Sequence, residues 1–203
     1  MFDLGFHSSD VDSSLFIYFQ SNVTIYILVY VDDILIIGTG TSVIFSIIKQ
    51  LQLVFAMKYH SNLGYFLGML THCDDQGLHI SQSKYIIDLL HKSSMAKLYS
   101  APSISGSKLS TTVGDPLSES DTTTYHQVVG ALQYCIITRP NMAYSVNQLC
   151  QFMHSPTSLH WIAARRVLRY LKGSVDHGLS YHRGSLNLES FCDSDWARDL
   201  DSK

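Results

Sequence analysis

Two apolar, β-branched runs flank a pair of adjacent carboxylates, Asp32 and Asp33, and this arrangement constrains the fold more than any other feature of the sequence. The runs, 27–31 and 34–37, have the length of buried strands, and the acids lie where the chain would turn between them. We therefore predict a β-hairpin whose tip exposes both carboxylates beside the hydroxyl of Tyr30.

Two carboxylates on a rigid hairpin form a site of hard oxygen ligands. Mg²⁺ or Mn²⁺ prefers such ligands and keeps several waters that a substrate phosphate can replace. The alternative is an acidic turn that is only solvated, because acidic residues are common in turns. The hairpin by itself leaves both interpretations open.

The charge distribution separates the two ends of the chain. The 203 residues carry a net charge of −3, and 46% are hydrophobic, which is enough for a core and argues against disorder. No lysine or arginine precedes Lys49, whereas segment 165–183 has five basic residues and a single acid, Asp176. An acidic N-terminal part and a basic C-terminal part are consistent with a site that binds metal through the first and phosphates through the second.

The sequence disfavours a disulfide-rich protein, a zinc protein, a secreted protein and a membrane protein. The four cysteines lack Cys-x-x-Cys spacing, which predicts free intracellular thiols rather than a disulfide framework or a zinc site. The first residues lack the basic region of a secretory signal. The stretch 23–38 is apolar enough to suggest a membrane span, but its two central acids would be costly in a bilayer. We therefore predict no membrane segment.

Hydrophobic periodicity predicts a mixture of antiparallel strands and helices, with Thr41 or Ser42 capping the first helix. The predicted strands are 15–19, 23–31, 34–37, the two arms of a hairpin over 65–82, and 188–196. The predicted helices are 41–55, 84–90, 124–137, one that begins at Pro140, and one from Ser155 to Gly173. An apolar stripe on the first helix comprises Ile44, Ile47, Ile48, Leu51 and Phe55.

The segment 100–120 is rich in serine, glycine and threonine and has little periodicity, which predicts a linker. Asp121 or Thr122 is expected to cap the helix that follows. The last three predicted helices have short connections and should form a bundle. Arg165, Arg169 and Lys172 follow each other at helical spacing and form a basic stripe, which either contacts phosphates or is a solvated helix face.

Several motifs resemble the reverse transcriptases of copia-type retrotransposons, and they occur in that family's order. Tyr-Val-Asp-Asp-Ile at 30–34 resembles the catalytic hairpin of those enzymes. The other matching stretches are 5–16, Tyr-Phe-Leu-Gly at 65–68, Gly-Leu-x-Ile-Ser-Gln-x-Lys-Tyr at 77–85, Tyr-x-x-x-Val-Gly-Ala-Leu-Gln-Tyr at 125–134, Thr-Arg-Pro at 138–140, 166–173, and the strand-like 189–197. Together these matches cover nearly the whole chain.

The resemblance implies an α+β fold built from parts of a polymerase. Residues 1–99 would form a partial palm, an antiparallel sheet with helices that carries the catalytic and primer-grip hairpins. Residues 100–120 would be the linker and 121–185 a helical thumb. Residues 186–203 would be the truncated start of a ribonuclease H domain.

The implied activity is RNA-directed DNA polymerisation on an RNA or DNA template, with Mg²⁺ or Mn²⁺ as cofactor. Asp32 and Asp33 would be catalytic metal ligands, with Tyr30 beside them. Asp193 matches the first metal-binding acid of ribonuclease H, in a set that is incomplete here. The family's further polymerase acid and its fingers lie upstream of Gly5, so we expect the isolated chain to be inactive.

The resemblance also assigns residues that contact nucleic acid. The predicted primer grip is Tyr65, Phe66, Leu67 and Gly68. The predicted residues of the thumb surface are Gln127, Gly130, Gln133, Tyr134, Arg165, Arg169 and Lys172. The implied partners are an RNA–DNA hybrid or primer–template duplex, deoxynucleoside triphosphates and the remainder of the Pol polyprotein, in a cytoplasmic particle or the nucleus.

Three hypotheses follow for the chain itself. It could be a working polymerase whose active site a partner completes, a non-catalytic module that binds hybrid, or a relic without function. Two departures from the family pattern favour the last two. Residues 59–61 replace an Asp-Leu-Gly turn, and Asn141 stands where an aspartate often follows Arg-Pro.

Overall fold

The chain divides into two compact units, Met1–Asn62 and Leu63–Lys203. Within the described residues, each unit contains a four-stranded antiparallel sheet, with one α-helix in the first unit and several in the second, as the mixture of predicted strands and helices indicated. The structure, a computed structural model, describes residues 4–60, 63–93, 102, 109–110, 112–185 and 187–192.

The first unit is an antiparallel sheet whose strand order follows the chain, with one helix packed on it. Its elements are β1 (His7–Ser8), β2 (Leu15–Gln20), β3 (Val23–Tyr30), β4 (Asp33–Gly38) and α1 (Thr41–Val54). Strands β2, β3 and β4 confirm the three strands predicted here. The short strand β1, which pairs with the edge of β2, was not among the predicted strands.

Both faces of this sheet are apolar, which explains why β3 lacks a polar–apolar alternation. Ile25 and Ile27 are buried against Ile47 and Leu51 of α1. Their neighbours in sequence point to the other face, because successive side chains of a strand alternate. The apolar stretch 23–38 therefore forms two paired strands. Among the described residues, no helix is long and apolar enough to cross a membrane.

The start of α1 differs from the prediction. Neither Thr41 nor Ser42 caps the helix; Gly40 occupies the N-cap in a left-handed conformation, with φ of 84°. Its carbonyl accepts hydrogen bonds from the first-turn amides. A Cβ at Gly40 would stand 3.0 Å from the side chain of Val23, so glycine satisfies both the backbone angle and this close approach. At the other end, Phe55 is an exposed, extended C-cap and does not continue the apolar stripe.

In its described residues, the second unit combines a sheet of order β5-β6-β7-β8 with four α-helices and one 3-10 helix. Its strands are β5 (Tyr65–Phe66), β6 (Met69–Asp74), β7 (Gly77–Ser81) and β8 (Gly178–Tyr181). Its helices are α2 (Ser83–Ser93), α3 (Glu119–Cys135), a 3-10 helix Pro140–Met142, α4 (Ala143–Cys150) and α5 (Ser158–Lys172). The segment 121–185, predicted as a helical thumb, therefore also contains a strand, β8, which returns to pair with β7.

The helices of the second unit enclose one core. Tyr125, Leu132, Val146 and Leu168 are buried side chains from α3, α4 and α5 that pack in this cluster, and α2 adds Ile86. The hydroxyl of Tyr125 donates to the backbone carbonyl of Leu149 at 2.8 Å, so its polar atom is satisfied inside the core. Burial raises the pKa of Tyr125 well above its usual range. The predicted three-helix bundle is thus present, with α2 as a fourth member.

Helix α3 begins five residues before its predicted start. Its N-cap is Ser118, whose hydroxyl accepts from the amide of Asp121, and neither Asp121 nor Thr122 is the cap. The end of the predicted linker is ordered against α5: Pro116 bridges to Thr157, the residue before that helix. This contact, which joins positions 41 residues apart, fixes where α3 can start.

Replacing Ser118 with alanine is expected to lower the free energy of unfolding of the second unit by about 1 kcal/mol, because one amide of the first turn loses its acceptor. Urea unfolding followed by circular dichroism measures this loss. Thr123→Ala is the matched control in the same helix, where alanine also improves helix propensity, and it should not destabilise. Equal losses in the two variants would contradict the cap assignment.

The end of the chain does not follow the prediction of a strand over 188–196. The described residues there, 187–192, form no strand, and Leu188 and Phe191 are 93% and 91% exposed. A strand requires a neighbour for its backbone hydrogen bonds, and this segment lies beside none of the described strands. Asp193 lies outside the described residues, so its role and the boundaries of the polymerase subdomains stay predictions.

Candidate active-site hairpin and nucleic-acid interface

The two carboxylates lie at the tip of the β3–β4 hairpin, where the sequence predicted them. Tyr30 pairs with Asp33, so Val31 and Asp32 form a two-residue turn. Tyr30, Asp32 and Asp33 are all exposed. Ile25 and Ile27 of β3 anchor the hairpin in the core of the first unit, and its tip is exposed to water.

The turn that carries these acids has an unusual backbone. Val31 has φ of 52°, a left-handed conformation that a β-branched residue rarely adopts. The preceding turn of the sheet uses Ser21 and Asn22 at positive φ, and asparagine tolerates that conformation well. Local strain of this kind concentrates at functional sites, where the surrounding structure holds it. The strained Val31 therefore distinguishes this turn from an ordinary acidic turn.

The donor chemistry of the tip suits a hard divalent cation, but the described residues supply only part of a ligand set. Asp32 and Asp33 offer adjacent carboxylate oxygens, which Mg²⁺ and Mn²⁺ prefer. Within the described part of the chain, no group of three or more histidine, cysteine, aspartate or glutamate residues could hold a metal ion. A metal bound at the tip would therefore complete its coordination with waters, with substrate phosphates or with residues outside the described part of the chain.

The predicted primer-grip hairpin is the β5–β6 hairpin of the second unit. Tyr65 is exposed and Phe66 is buried, so only the first contributes a ring to the surface. Leu67 and Gly68 form the two-residue turn, both at positive φ, as expected for a type I′ hairpin turn. The hydroxyl of Tyr134 donates to the carbonyl of Leu67. The structure thus brings a predicted thumb residue onto the predicted primer grip.

The predicted nucleic-acid face of α3 is open. Gln127, Gly130 and Gln133 are exposed and lie on one side of the helix, since they are three residues apart. No described atom lies within 4 Å of the position that a Cβ of Gly130 would take. Glycine inside a helix costs about 1 kcal/mol relative to alanine, and packing within the described residues does not require it here. The glycine instead leaves room for close approach from outside.

The basic stripe lies on α5 and is partly structural. Arg165 and Lys172 are exposed, and Arg169 is half-buried. The Arg165 guanidinium carbon stands 4.9 Å from the ring centre of Trp161, a cation–π contact. Arg169 and Lys172 lie in the last turn, where positive charge complements the helix dipole. The stripe therefore stabilises α5 and also presents positive charge outward.

Two motif residues have structural roles that the sequence did not reveal. Gln82 is fully buried, accepts from the hydroxyl of Thr138 at 2.8 Å and donates to the carbonyl of Tyr134 at 3.3 Å. Arg139 is buried and donates to Ser174. The only signal was their presence in the matching motifs, because neither falls in a periodic pattern of apolar residues.

Comparisons with known proteins agree with these features. Residues 1–104 match the family described as reverse transcriptase (RNA-dependent DNA polymerase). The chain is 44% identical over 201 residues to the retrovirus-related Pol polyprotein from transposon RE2 of Arabidopsis thaliana. The aligned region covers 98% of the chain and 14% of that protein. An uncharacterized mitochondrial protein of Arabidopsis thaliana is 40% identical over 173 residues, covering 85% of the chain and 72% of that protein. No solved structure matches significantly.

The chain belongs to the reverse transcriptase (RNA-dependent DNA polymerase) family. Within this family it corresponds to the reverse transcriptase region of retrotransposon Pol polyproteins, of which it spans 14% of the length in the transposon RE2 protein. This confirms the resemblance to copia-type elements. A third relative, the putative transposon Ty5-1 protein of Saccharomyces cerevisiae, is 32% identical over 196 residues, covering 94% of the chain and 63% of that protein.

Proposed function

We propose that this chain is part of an RNA-directed DNA polymerase in which Asp32 and Asp33 are the catalytic carboxylates. The observation that carries the proposal is the exposed pair of acids on the strained turn at Val31. The anchored strands hold the pair at a fixed place. Positioning of charge is the main task of a protein that transfers phosphoryl groups.

Mg²⁺ bound at such a site supplies charge neutralisation for the phosphate that is transferred. The chain's own residues would hold that charge at the tip, with Tyr30 next to the acids. Because the described residues leave the ligand set incomplete, we also propose that the isolated chain does not incorporate nucleotides. The rest of the Pol polyprotein would then complete the site, and deoxynucleoside triphosphates would be its substrates.

A second candidate function is binding of an RNA–DNA hybrid without polymerisation. The exposed Gly130 between Gln127 and Gln133 favours it, because proteins recognise the wide minor groove of such duplexes by shape and by contacts to hydroxyls and phosphates. The α5 stripe would add phosphate contacts. The affinity for the duplex should then fall as the salt concentration rises. Binding of the basic side chains releases counterions from the duplex, and this release is less favourable when the salt concentration is high.

Primer extension tests the first proposal. An RNA template with a DNA primer is incubated with the isolated chain or with the full Pol polyprotein, in Mg²⁺ and in Mn²⁺. We expect no incorporation by the chain alone. In the polyprotein, Asp32→Asn should reduce incorporation to background. Asp75→Asn, in the acidic turn between β6 and β7, is the matched control and should retain it.

The outcomes separate the proposals. Incorporation by the isolated chain that Asp32→Asn abolishes would show a complete site and contradict its inactivity. Polyprotein activity that survives Asp32→Asn would contradict the catalytic role of the hairpin. Binding of hybrid by the isolated chain at low salt, equal in wild type and Asp32→Asn, would support the second function for this part of the protein.

A further inference from the structure

The tip of the β5–β6 hairpin contacts the side chain of Tyr134 in α3. Tyr134, near the end of α3, donates from its hydroxyl to the carbonyl of Leu67. We propose that Tyr134 is a positioning residue, which fixes the hairpin tip against α3 so that hairpin and helix present one continuous surface to a nucleic-acid duplex. We call the hydrogen bond from the Tyr134 hydroxyl to the Leu67 carbonyl the tie between hairpin and helix. The choice of a duplex as the ligand rests on the proposed function, whereas the existence of the tie does not.

The backbone of the turn explains why this bond matters. Leu67 and Gly68 are the two turn residues, so the carbonyl of Leu67 lies outside the strand ladder and needs another donor. Leu67 also has φ of 48°, which is unfavourable for a bulky apolar residue such as leucine. The hydroxyl of Tyr134 supplies the donor and holds the strained turn.

Gly68 shows how closely the ring approaches the turn. A Cβ at Gly68 would stand 3.0 Å from the hydroxyl oxygen of Tyr134 and 3.3 Å from a carbon of its ring. The φ of Gly68 is 71°, so glycine is required by the backbone as well as by the contact. The turn therefore accommodates the tyrosine side chain only because residue 68 lacks a Cβ.

The ring of Tyr134 is itself held from a second helix. Tyr85 of α2 packs edge-on against it, with ring centres 5.0 Å apart. Gln82 donates to the backbone carbonyl of Tyr134 at 3.3 Å. These contacts fix the ring and the backbone of α3, but the hydroxyl is the group that reaches Leu67. Removing only the hydroxyl therefore releases the tip and preserves the packing.

The tie also lies at the end of the open face of α3. Gln127 and Tyr134 are seven residues apart, which places them on one side of the helix about 10 Å from each other. Gly130 lies between them, with open space above it. A duplex that follows this face would reach the hairpin tip at Tyr134. Because of the tie, the position of the tip relative to the duplex would be set by α3.

Hydrogen exchange tests the tie in the chain itself. Tyr134→Phe is expected to speed amide exchange in a peptide covering 65–70 by about fivefold, the loss expected for one hydrogen bond, with the thermal midpoint nearly unchanged. Tyr181→Phe, at an exposed tyrosine in β8 of the same sheet, is the matched control and should leave that exchange unchanged. Unchanged exchange in Tyr134→Phe would overturn the proposal.

Binding of an RNA–DNA hybrid, measured by fluorescence anisotropy, tests the consequence for the ligand. If the tie orders the surface, Tyr134→Phe should weaken binding several-fold while Tyr181→Phe does not. Faster exchange with unchanged affinity would overturn the positioning role. A wild-type chain that binds no hybrid would instead contradict the proposed function, and the exchange result would still decide whether the tie exists.

A double-mutant cycle with Gly68→Ala probes the same contact from the other side. Gly68→Ala should speed exchange of the hairpin, because the new Cβ meets the hydroxyl. In the Tyr134→Phe background this added effect should be smaller, since the 3.0 Å contact with the hydroxyl is gone and only the ring carbon at 3.3 Å and the backbone angle oppose alanine. Strictly additive effects would contradict a contact between these two groups.

Discussion

Replacing Arg139 with methionine is expected to lower the free energy of unfolding of the second unit by about 3 kcal/mol. Arg139 is only 2% exposed. Its Nη1 donates to the carbonyl of Ser174 at 2.7 Å, and its Nη2 donates to the Ser174 hydroxyl at 2.8 Å. The guanidinium carbon also lies 5.5 Å from the ring centre of Tyr170. Methionine retains the apolar stem and loses both charge-assisted hydrogen bonds.

The location of these bonds explains the size of the effect. Ser174 follows Gly173, the C-cap of α5, so its carbonyl lies at the negative end of the helix dipole. The amide of Arg139 bonds back to Cys135, the last residue of α3. One buried side chain therefore joins the ends of two helices. Part of its loss is offset, because a buried charge no longer has to be desolvated.

Urea unfolding monitored by the fluorescence of Trp161 measures this loss, in a Trp196→Phe background so that the signal reports on α5. Arg139→Lys should fall between wild type and Arg139→Met, because an ammonium cannot reproduce the two-pronged geometry. Arg183→Met, at an exposed arginine, is the control and should change stability by at most about 0.5 kcal/mol. An Arg139→Met variant as stable as Arg183→Met would contradict the argument.

The elements that sequence predicted best are those specified by neighbours in the chain. Strands β2 to β4 follow from apolar runs bounded by short turns, and β3 pairs with β2 on one side and with β4 on the other. Strand β8 was missed because it has four residues and its partner lies about a hundred positions earlier, which no local pattern reveals. The start of α3 was also misplaced, because the contact of Pro116 with Thr157 selects Ser118 over two equally good capping residues.

The candidate site also combines features that the local sequence predicts with features that only tertiary packing determines. Exposure of Asp32 and Asp33 follows from the hairpin pattern alone. The left-handed conformation of Val31 does not, because valine disfavours it and only the assembled sheet imposes it. The bond between Tyr134 and Leu67 joins residues 67 positions apart and depends on how α3 packs beside the hairpin. Motif resemblance placed both in one nucleic-acid surface, but it gave no contact between them.

Gln82 lies in a matching motif and acts inside the protein, which leads to a second large effect. Gln82→Met conserves volume and removes both side-chain hydrogen bonds, so it should lower the free energy of unfolding by about 2 kcal/mol. The largest part comes from Thr138, which is 1% exposed and whose hydroxyl donates to Gln82. The carbonyl of Tyr134 is less affected, because backbone amides at the end of α3 also donate to it.

The same urea experiment separates this hydrogen-bond loss from a loss of packing. Thr138→Val combined with Gln82→Met removes both partners together, and the double variant should recover about 1 kcal/mol relative to Gln82→Met, since no buried hydroxyl is left without an acceptor. Gln151→Met, at an exposed glutamine after α4, is the control and should be nearly neutral. If the double variant is less stable than Gln82→Met, packing rather than the buried hydrogen bond accounts for the role of Gln82 between α2 and α3.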